Sequence, residues 1–193
     1  MDYVKVKRAV PILLFLFVFS LVVDNSFKLI SVAIADDLNI SVTTVSWQTT
    51  LAGLVIGIGA VVYSSLSDAI SIRTLFIYGV CLIIIGSVIG YIFQHQFAVI
   101  LAARIIQTAG LAAAETLYVI YVAKYLSKDD QKTYLGLSTS SYSLSLVIGT
   151  LSGGFISTYL HWTNMFLLAL IVVFTLPFLF KLLPKEDLSL IHI

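Results

Sequence analysis

Four charged residues interrupt long apolar stretches of the sequence, where a charge is costly unless it has a partner or a function. They are Asp24, Lys28, Arg104 and Glu115. A charged side chain at the centre of a membrane helix costs roughly 2.5 to 3.5 kcal/mol on insertion scales, and carboxylates in such positions commonly relay protons. These residues therefore predict the coupling of a proton to a substrate, with Asp24 the first candidate and Glu115 the second.

The spacing of these residues places them on two polar helical stripes. The first stripe consists of Ser20, Asp24, Lys28 and Ser31, and the second of Arg104, Gln107, Thr108 and Glu115. At 100° per residue, the members of the first stripe fall within about 80° around the helix axis. On the second stripe, Arg104 and Glu115 differ by only about 20° around the axis and by roughly 16 Å along it. Both stripes are expected to face the inside of a helical bundle.

A purely structural role is the alternative for three of these charges. Asp24 and Lys28 have the i,i+4 spacing of an ion pair that neutralises both residues. Arg104 has the alternative role of a donor to backbone carbonyls. The sequence alone leaves both possibilities open beside the role in transport.

The composition places these stripes in a membrane. Of 193 residues, 60% are hydrophobic and 11% are charged, whereas a soluble domain carries roughly 25% charged residues. The net charge of +1 provides no basic patch for a nucleic acid, and the single Cys81 excludes an internal disulfide and a cysteine zinc site. The sequence therefore predicts an all-α, polytopic membrane protein whose surroundings are the lipid bilayer.

Polar clusters divide the chain into six apolar lengths of about 20 residues or more, which is the length that a membrane-spanning helix requires. They form one predicted six-helix bundle over residues 1–186, with spans near 9–35, 47–66, 75–93, 97–124, 134–159 and 162–183. Nine of the eleven Lys and Arg residues fall in loops on one side of this arrangement. Because basic loops stay cytoplasmic, we expect a multi-pass plasma-membrane protein with both termini in the cytoplasm.

Small residues mark two of the predicted spans as close-packing helices. Span two contains Gly53 and Gly57, and span five contains Gly149, Gly153 and Gly154. Small residues let membrane helices approach closely. Static packing and rocking of one helix past another are both compatible with this pattern.

The loop between spans two and three has an unusual arrangement of charges. Asp68 follows span two and Arg73 begins span three, so each residue lies at the helix end whose dipole disfavours its charge. A compensating partner elsewhere in the fold is therefore expected.

Short motifs, taken in order, resemble those of the major facilitator superfamily. Residues 24–26 (Asp-Asn-Ser) are similar to its first-helix signature, and 46–47 (Ser-Trp) to the start of its second helix. Residues 63–68 with Arg73 resemble its cytoplasmic gate motif, and 104–110 its fourth-helix motif associated with proton coupling. The resemblance is to drug and proton antiporters of the tetracycline and multidrug efflux type of Gram-positive bacteria such as staphylococci, and it covers nearly the whole chain.

This resemblance implies alternating access, in which a lipophilic drug binds near the midplane while two six-helix bundles rock about it. It implies that Asp24 carries the proton or senses a drug cation, that Arg104 tunes it, and that Asp68 and Arg73 belong to the gate. No bound cofactor is implied, because the proton gradient supplies the energy. Glu115 has no counterpart in the motif. Residues 149–154 lack the proline of the antiporter signature, which leaves symport as an alternative.

An intramembrane serine protease and a passive channel are the competing interpretations. A nucleophilic serine needs a base within hydrogen-bond reach, but Ser138 is predicted at the opposite side of the membrane from His95 and His161. A channel would need paired half-helices, which the pattern lacks. The sequence therefore predicts a transporter and not an enzyme.

The length predicts only one of the two bundles that alternating access requires. We therefore expect an N-terminal half whose partner is a C-terminal bundle, with residues 187–193 a non-native tail read past the true gene. A non-functional fragment and a half-size transporter that works as a dimer are the alternatives.

Overall fold

The computed structural model describes residues 2–185, so the tail predicted at 187–193 lies outside the described residues. The described part consists of helices joined by short connections and contains no strand, which confirms the predicted all-α class. The helices are α1 (Tyr3–Arg8), α2 (Val10–Leu29), α3 (Ser31–Leu38), α4 (Val42–Val45), α5 (Trp47–Leu66), α6 (Ile72–Ile92), α7 (Phe97–Tyr125), α8 (Lys128–Tyr159), α9 (Asn164–Ala169) and α10 (Leu176–Leu182), with a 3-10 helix at Leu170–Thr175.

Five helical stretches within residues 2–185 are long and apolar enough to cross a membrane, judged by length and composition. They are Tyr3–Leu29, Val42–Leu66, Ile72–Ile92, Phe97–Tyr125 and Asn164–Leu182. The remaining predicted span, 134–159, lies within α8. This helix has 32 residues and is long enough, but its many serines and glycines make it less apolar than the other five.

The helices of two predicted spans have three breaks, one of them at the very start of span one, and a proline lies beside two of the three. Pro11 has no N–H to bond to the carbonyl of Lys7, and the chain divides into α1 and α2 just before it. Pro177 likewise follows the 3-10 helix that separates α9 from α10. A further break occurs at Ile30, where φ of −89° and ψ of 2° end α2, so the first predicted span is not one continuous helix.

Helix α7 lies at the centre of the bundle. It packs against α2, α5 and α6, while α8 packs mainly on α2, and α9 and the 3-10 helix pack on α6. The approach of α6 to α7 depends on glycine: a Cβ at Gly86 would lie 2.5 Å from the backbone N of Gln107 and 2.6 Å from the carbonyl of Ala103. The close contact of these two helices holds the polar face of α7 inside the bundle.

The bundle has two chemically different ends. Helix α1 and α10 meet the α5–α6 and α7–α8 connections at one of them, where Arg73 donates to the carbonyl of Phe180 at 2.8 Å and Tyr121 donates to that of Val6 at 2.8 Å. We call this the basic end because it contains Lys5, Lys7, Arg8, Arg73, Lys124, Lys128, Lys132, Lys181 and Lys185. At the opposite end, Trp162 donates from Nε1 to Asp37 at 2.9 Å and joins α3 to the α8–α9 connection.

Candidate functional site

Arg104 is the most deeply placed charge of the bundle. It lies on α7 with 1% of its surface exposed, and its guanidinium carbon lies 4.1 Å from the centre of the Phe27 ring. A guanidinium can be buried when its N–H groups have acceptors and its flat face rests on an aromatic ring. Both conditions are met here.

Three side chains accept hydrogen bonds from Arg104. Its Nε donates to Gln48 at 2.9 Å and its Nη1 to Gln107 at 2.6 Å. Its Nη2 donates to Oδ1 of Asp24 at 3.4 Å, and this ion pair joins α7 to α2. These acceptors are side chains, whereas the structural alternative from sequence had Arg104 donating to backbone carbonyls.

The two glutamines extend this network to neighbouring helices. Gln48 donates from Nε2 to the carbonyl of Phe27 at 2.9 Å and to Ser31 at 3.3 Å. Gln107 donates to Ser87 on α6 at 2.9 Å. We use the term Arg104 network for six residues from α2, α5, α6 and α7: Asp24, Lys28, Gln48, Ser87, Arg104 and Gln107.

Asp24 is bound by a cation on each of its two oxygens. Oδ1 faces Arg104, and Oδ2 lies 3.2 Å from Nζ of Lys28. The i,i+4 pair anticipated from the sequence is thus present, with Arg104 as a third member. Asp24 itself is 7% exposed. One carboxylate and two cations leave this ionic cluster with a net charge of +1.

Glu115 lies outside the Arg104 network. The residue is half-buried, and its Oε1 is buried without a hydrogen-bond partner in the described residues. No ion pair to Glu115 occurs within residues 2–185. The hydroxyls of Ser20 and Thr108 are also buried without a hydrogen-bond partner there. Each of the two polar stripes therefore contains a buried oxygen that makes no hydrogen bond in the described residues.

The two gate candidates have very different surroundings. Arg73 donates to the carbonyl of Phe180 at 2.8 Å, and its guanidinium lies 5.5 Å from the centre of the Phe180 ring. Asp68 is exposed. Its expected compensating partner is not found among the residues that the structure describes.

The five glycines singled out from the sequence divide into two groups. A Cβ at Gly149 would lie 2.7 Å from that of Asn25, and a Cβ at Gly153 would lie 2.8 Å from the carbonyl of Ser26, so both bring α8 against α2. For Gly53, Gly57 and Gly154 nothing lies within 4 Å of the added Cβ. Packing inside this bundle therefore involves two of the five.

Comparison with known proteins identifies the family that this arrangement represents. The family model of the Major Facilitator Superfamily matches residues 12–190. The chain belongs to the major facilitator superfamily. The chain therefore belongs to a class of membrane transport proteins and is not an enzyme.

Several curated superfamily members are similar to the chain. The uncharacterized MFS-type transporter YbcL of Bacillus subtilis (strain 168) is 27% identical over 153 residues, which are 75% of this chain and 39% of the relative. The MFS-type transporter tstD of Talaromyces stipitatus is 26% identical over 149 residues, 76% of this chain and 26% of the relative. YtbD of Bacillus subtilis, another uncharacterized MFS-type transporter, is 26% identical over 170 residues, 86% and 42%.

The chain thus spans between 26% and 42% of the length of these three superfamily members. The helices of residues 2–185 pack against one another as one bundle. Properties of a complete superfamily transporter, including its substrate and its coupling, are treated below as proposals.

Three residues of the site were not predicted from the sequence. Gln48, Ser87 and Phe27 were not singled out, although each contacts Arg104 directly or through Gln107. The signal available for Gln48 was an amide inside a predicted apolar span. Ser87 and Phe27 have no comparable signal, because serine and phenylalanine are common in membrane helices.

Proposed function

We propose that the chain is part of a transporter that exports lipophilic drugs such as tetracycline in exchange for protons, by alternating access. The observation that carries this proposal is the presence, in one bundle, of a buried Arg104 network with many hydrogen bonds and of a second carboxylate, Glu115, that makes no ion pair within residues 2–185. Ionisable groups within a membrane protein mark ion and substrate pathways. Membership of the superfamily supports transport, and the buried charged residues support the coupling of that transport to protons.

The proposed setting is the plasma membrane, with both termini in the cytoplasm. Nine basic residues lie at one end of the bundle, and such residues favour the cytoplasmic side. A second bundle is the proposed partner, because the relatives are longer and because α5 buries few residues of its own: Gln48, Ala52 and Gly59. The exposed faces of α5 and α8, with Gly53, Gly57 and Gly154, would meet lipid or that second bundle.

The contacts favour Glu115 over Asp24 as the group that exchanges the proton. Both oxygens of Asp24 are in contact with a cation, Oδ1 with Arg104 and Oδ2 with Lys28. Glu115 has no such partner in the described residues, and its buried Oε1 accepts no hydrogen bond, so its negative charge is poorly compensated. A group whose charge is costly is the one that gains from taking up a proton. The first choice made from the sequence, Asp24, thereby becomes a structural anchor.

Arg104 and Lys28 then hold Asp24 in place instead of moving protons themselves. The ion pair of Arg104 with Asp24 fixes α2 against α7, and the bond of Arg104 to Gln48 fixes α5 against α7. Removal of one partner of such a buried pair is expected to destabilise the fold, because the other charge remains buried and unpaired.

At the basic end, Arg73 is proposed as a gate residue through its contact with α10. Asp68, which has no ion pair among residues 2–185, is free to pair with a group of the second bundle. Such a pair would form in one conformation and break in the other. A lipophilic pocket near the midplane accepts many shapes, which suits a multidrug substrate range.

The direct test uses everted membrane vesicles that contain the product of the complete open reading frame. Respiration acidifies the vesicle lumen, and added tetracycline should release protons from it, with tetracycline accumulation abolished by a protonophore. Vesicles from cells without the gene are the control. Equal proton release in both preparations would contradict drug and proton exchange, whereas the family assignment would stand.

A further inference from the structure

Lys28 is the part of the ionic cluster that reaches the surface of the bundle. Its side chain is 48% exposed, whereas that of Asp24 is 11% exposed and that of Arg104 is 2% exposed. A ligand that approaches this cluster therefore meets an ammonium group before it meets the carboxylate. The sequence suggested that Asp24 carries the proton or senses a drug cation, and this order of exposure disfavours the second of these roles.

The charges of the cluster act in the same direction. Arg104 and Lys28 contribute two positive charges and Asp24 one negative charge, so the sum is +1, and Arg104 alone already compensates Asp24. Glu115 on α7 is close enough to interact electrostatically with Asp24 and Lys28, but it is less exposed than Lys28. The charge that an approaching ligand meets first is therefore the positive charge of Lys28.

Lys28 also retains hydrogen-bonding capacity. An ammonium group has three N–H donors, and two of them are directed at Oδ2 of Asp24, at 3.2 Å, and Oδ1 of Asn25, at 3.4 Å. Within residues 2–185 no acceptor is found for the third donor, which remains for a ligand. Leu29 and Val32 beside it in the chain are 42% and 56% exposed, so an apolar surface adjoins the free donor.

We infer that Lys28 binds an anionic oxygen group of an amphiphilic substrate, and that the substrate class includes lipophilic carboxylates. This inference rests on the proposed function and names the substrate class of the same site. Asp24 and Asn25 orient the ammonium, and Arg104 keeps Asp24 from attracting cations in its place. Neutralising Lys28 should therefore remove the preference for anions.

The test compares two dyes with the same tricyclic xanthene core and opposite charge: fluorescein, an anion at pH 8, and rhodamine 123, a cation. Binding to the purified product of the complete open reading frame is measured by fluorescence anisotropy. Lys28→Gln should weaken fluorescein binding about tenfold, the effect of one charge-assisted hydrogen bond, without weakening rhodamine 123 binding. Lys28→Arg should retain fluorescein binding, and the surface control Lys132→Gln should change neither dye.

Two outcomes would overturn the inference: unchanged fluorescein affinity in Lys28→Gln, or an equal loss for both dyes. The proposed function is separable in this design, because anisotropy reports binding without proton movement. Failure of tetracycline to release protons from vesicles of the wild type would contradict the proposed function alone. Proton release by the wild type together with a charge preference that ignores Lys28 would contradict the inference alone.

Discussion

Arg104 donates a hydrogen bond of 2.9 Å from Nε to the side chain of Gln48 and thereby joins α7 to α5. Gln48 in turn donates to the backbone carbonyl of Phe27 at 2.9 Å, which joins α5 to α2. Both Arg104 and Gln48 are 1% exposed. One amide thus satisfies a buried cation and a buried carbonyl, and three helices meet at it.

Replacing this amide without changing its volume should destabilise the bundle. Gln48→Met leaves the Nε of Arg104 and the carbonyl of Phe27 without their partner, and each such buried group costs about 1–3 kcal/mol. The midpoint of thermal unfolding in detergent should fall clearly. The exposed Gln96 provides the matched control, and Gln96→Met should leave the midpoint unchanged. Similar midpoints for both variants would contradict a structural role for Gln48.

Two glycines on consecutive helices, Gly57 on α5 and Gly86 on α6, should respond oppositely to the same substitution. Gly86→Ala places a Cβ 2.5 Å from the backbone N of Gln107, so α6 and α7 must move apart, at a cost of about 1–3 kcal/mol. Gly57→Ala meets nothing within 4 Å and should gain up to about 1 kcal/mol of helix propensity. Thermal unfolding of both variants checks this, and a destabilised Gly57→Ala would show that another surface already packs there.

A third prediction concerns the attachment of α1 at the basic end. Asp130 accepts hydrogen bonds from Tyr3 and from Lys7, the latter at 3.0 Å. These two donors, Tyr3 first, lower the pKa of Asp130 from its ordinary value of 3.8. A lowered pKa means that the stabilisation is complete above pH 3.8 and is lost as the pH falls below it.

Hydrogen exchange of the α1 amides measures this attachment. Asp130→Asn should speed exchange in α1 at pH 7, where wild type is protected, and should remove the loss of protection that wild type shows below pH 3.8. Asp129→Asn is the control, because the Asp129 side chain is 97% exposed and its ion pair within residues 2–185 is with Lys132, at 3.5 Å. Equal protection of α1 in Asp130→Asn and wild type at neutral pH would refute the tether.

Much of the fold was accessible from sequence because a membrane helix must satisfy its backbone internally and present a long apolar surface. Span two was predicted at residues 47–66, the bounds that α5 has in the structure. The break at Ile30 was not predicted, since no proline or glycine marks it. Local backbone geometry of this kind depends on packing against other helices.

The site was predictable in part for the same physical reason. Charges in apolar runs identify themselves, so Asp24, Arg104 and Glu115 were found. Which of these residues pair could not be predicted, because the position of a residue around its helix does not show which helix faces pack against each other. The structure unites Asp24 with Arg104 and leaves Glu115 apart, and this difference shifts the proposed proton site from α2 to α7.

The most direct test of the account compares Glu115→Gln with Asp24→Asn in everted vesicles that contain the product of the complete open reading frame. Drug-dependent proton release is measured beside drug binding, so that loss of coupling is distinguished from loss of the protein. Glu115→Gln should abolish proton release while drug binding persists, and Asp24→Asn should lower thermal stability. Proton release in Glu115→Gln equal to that of wild type would contradict the account.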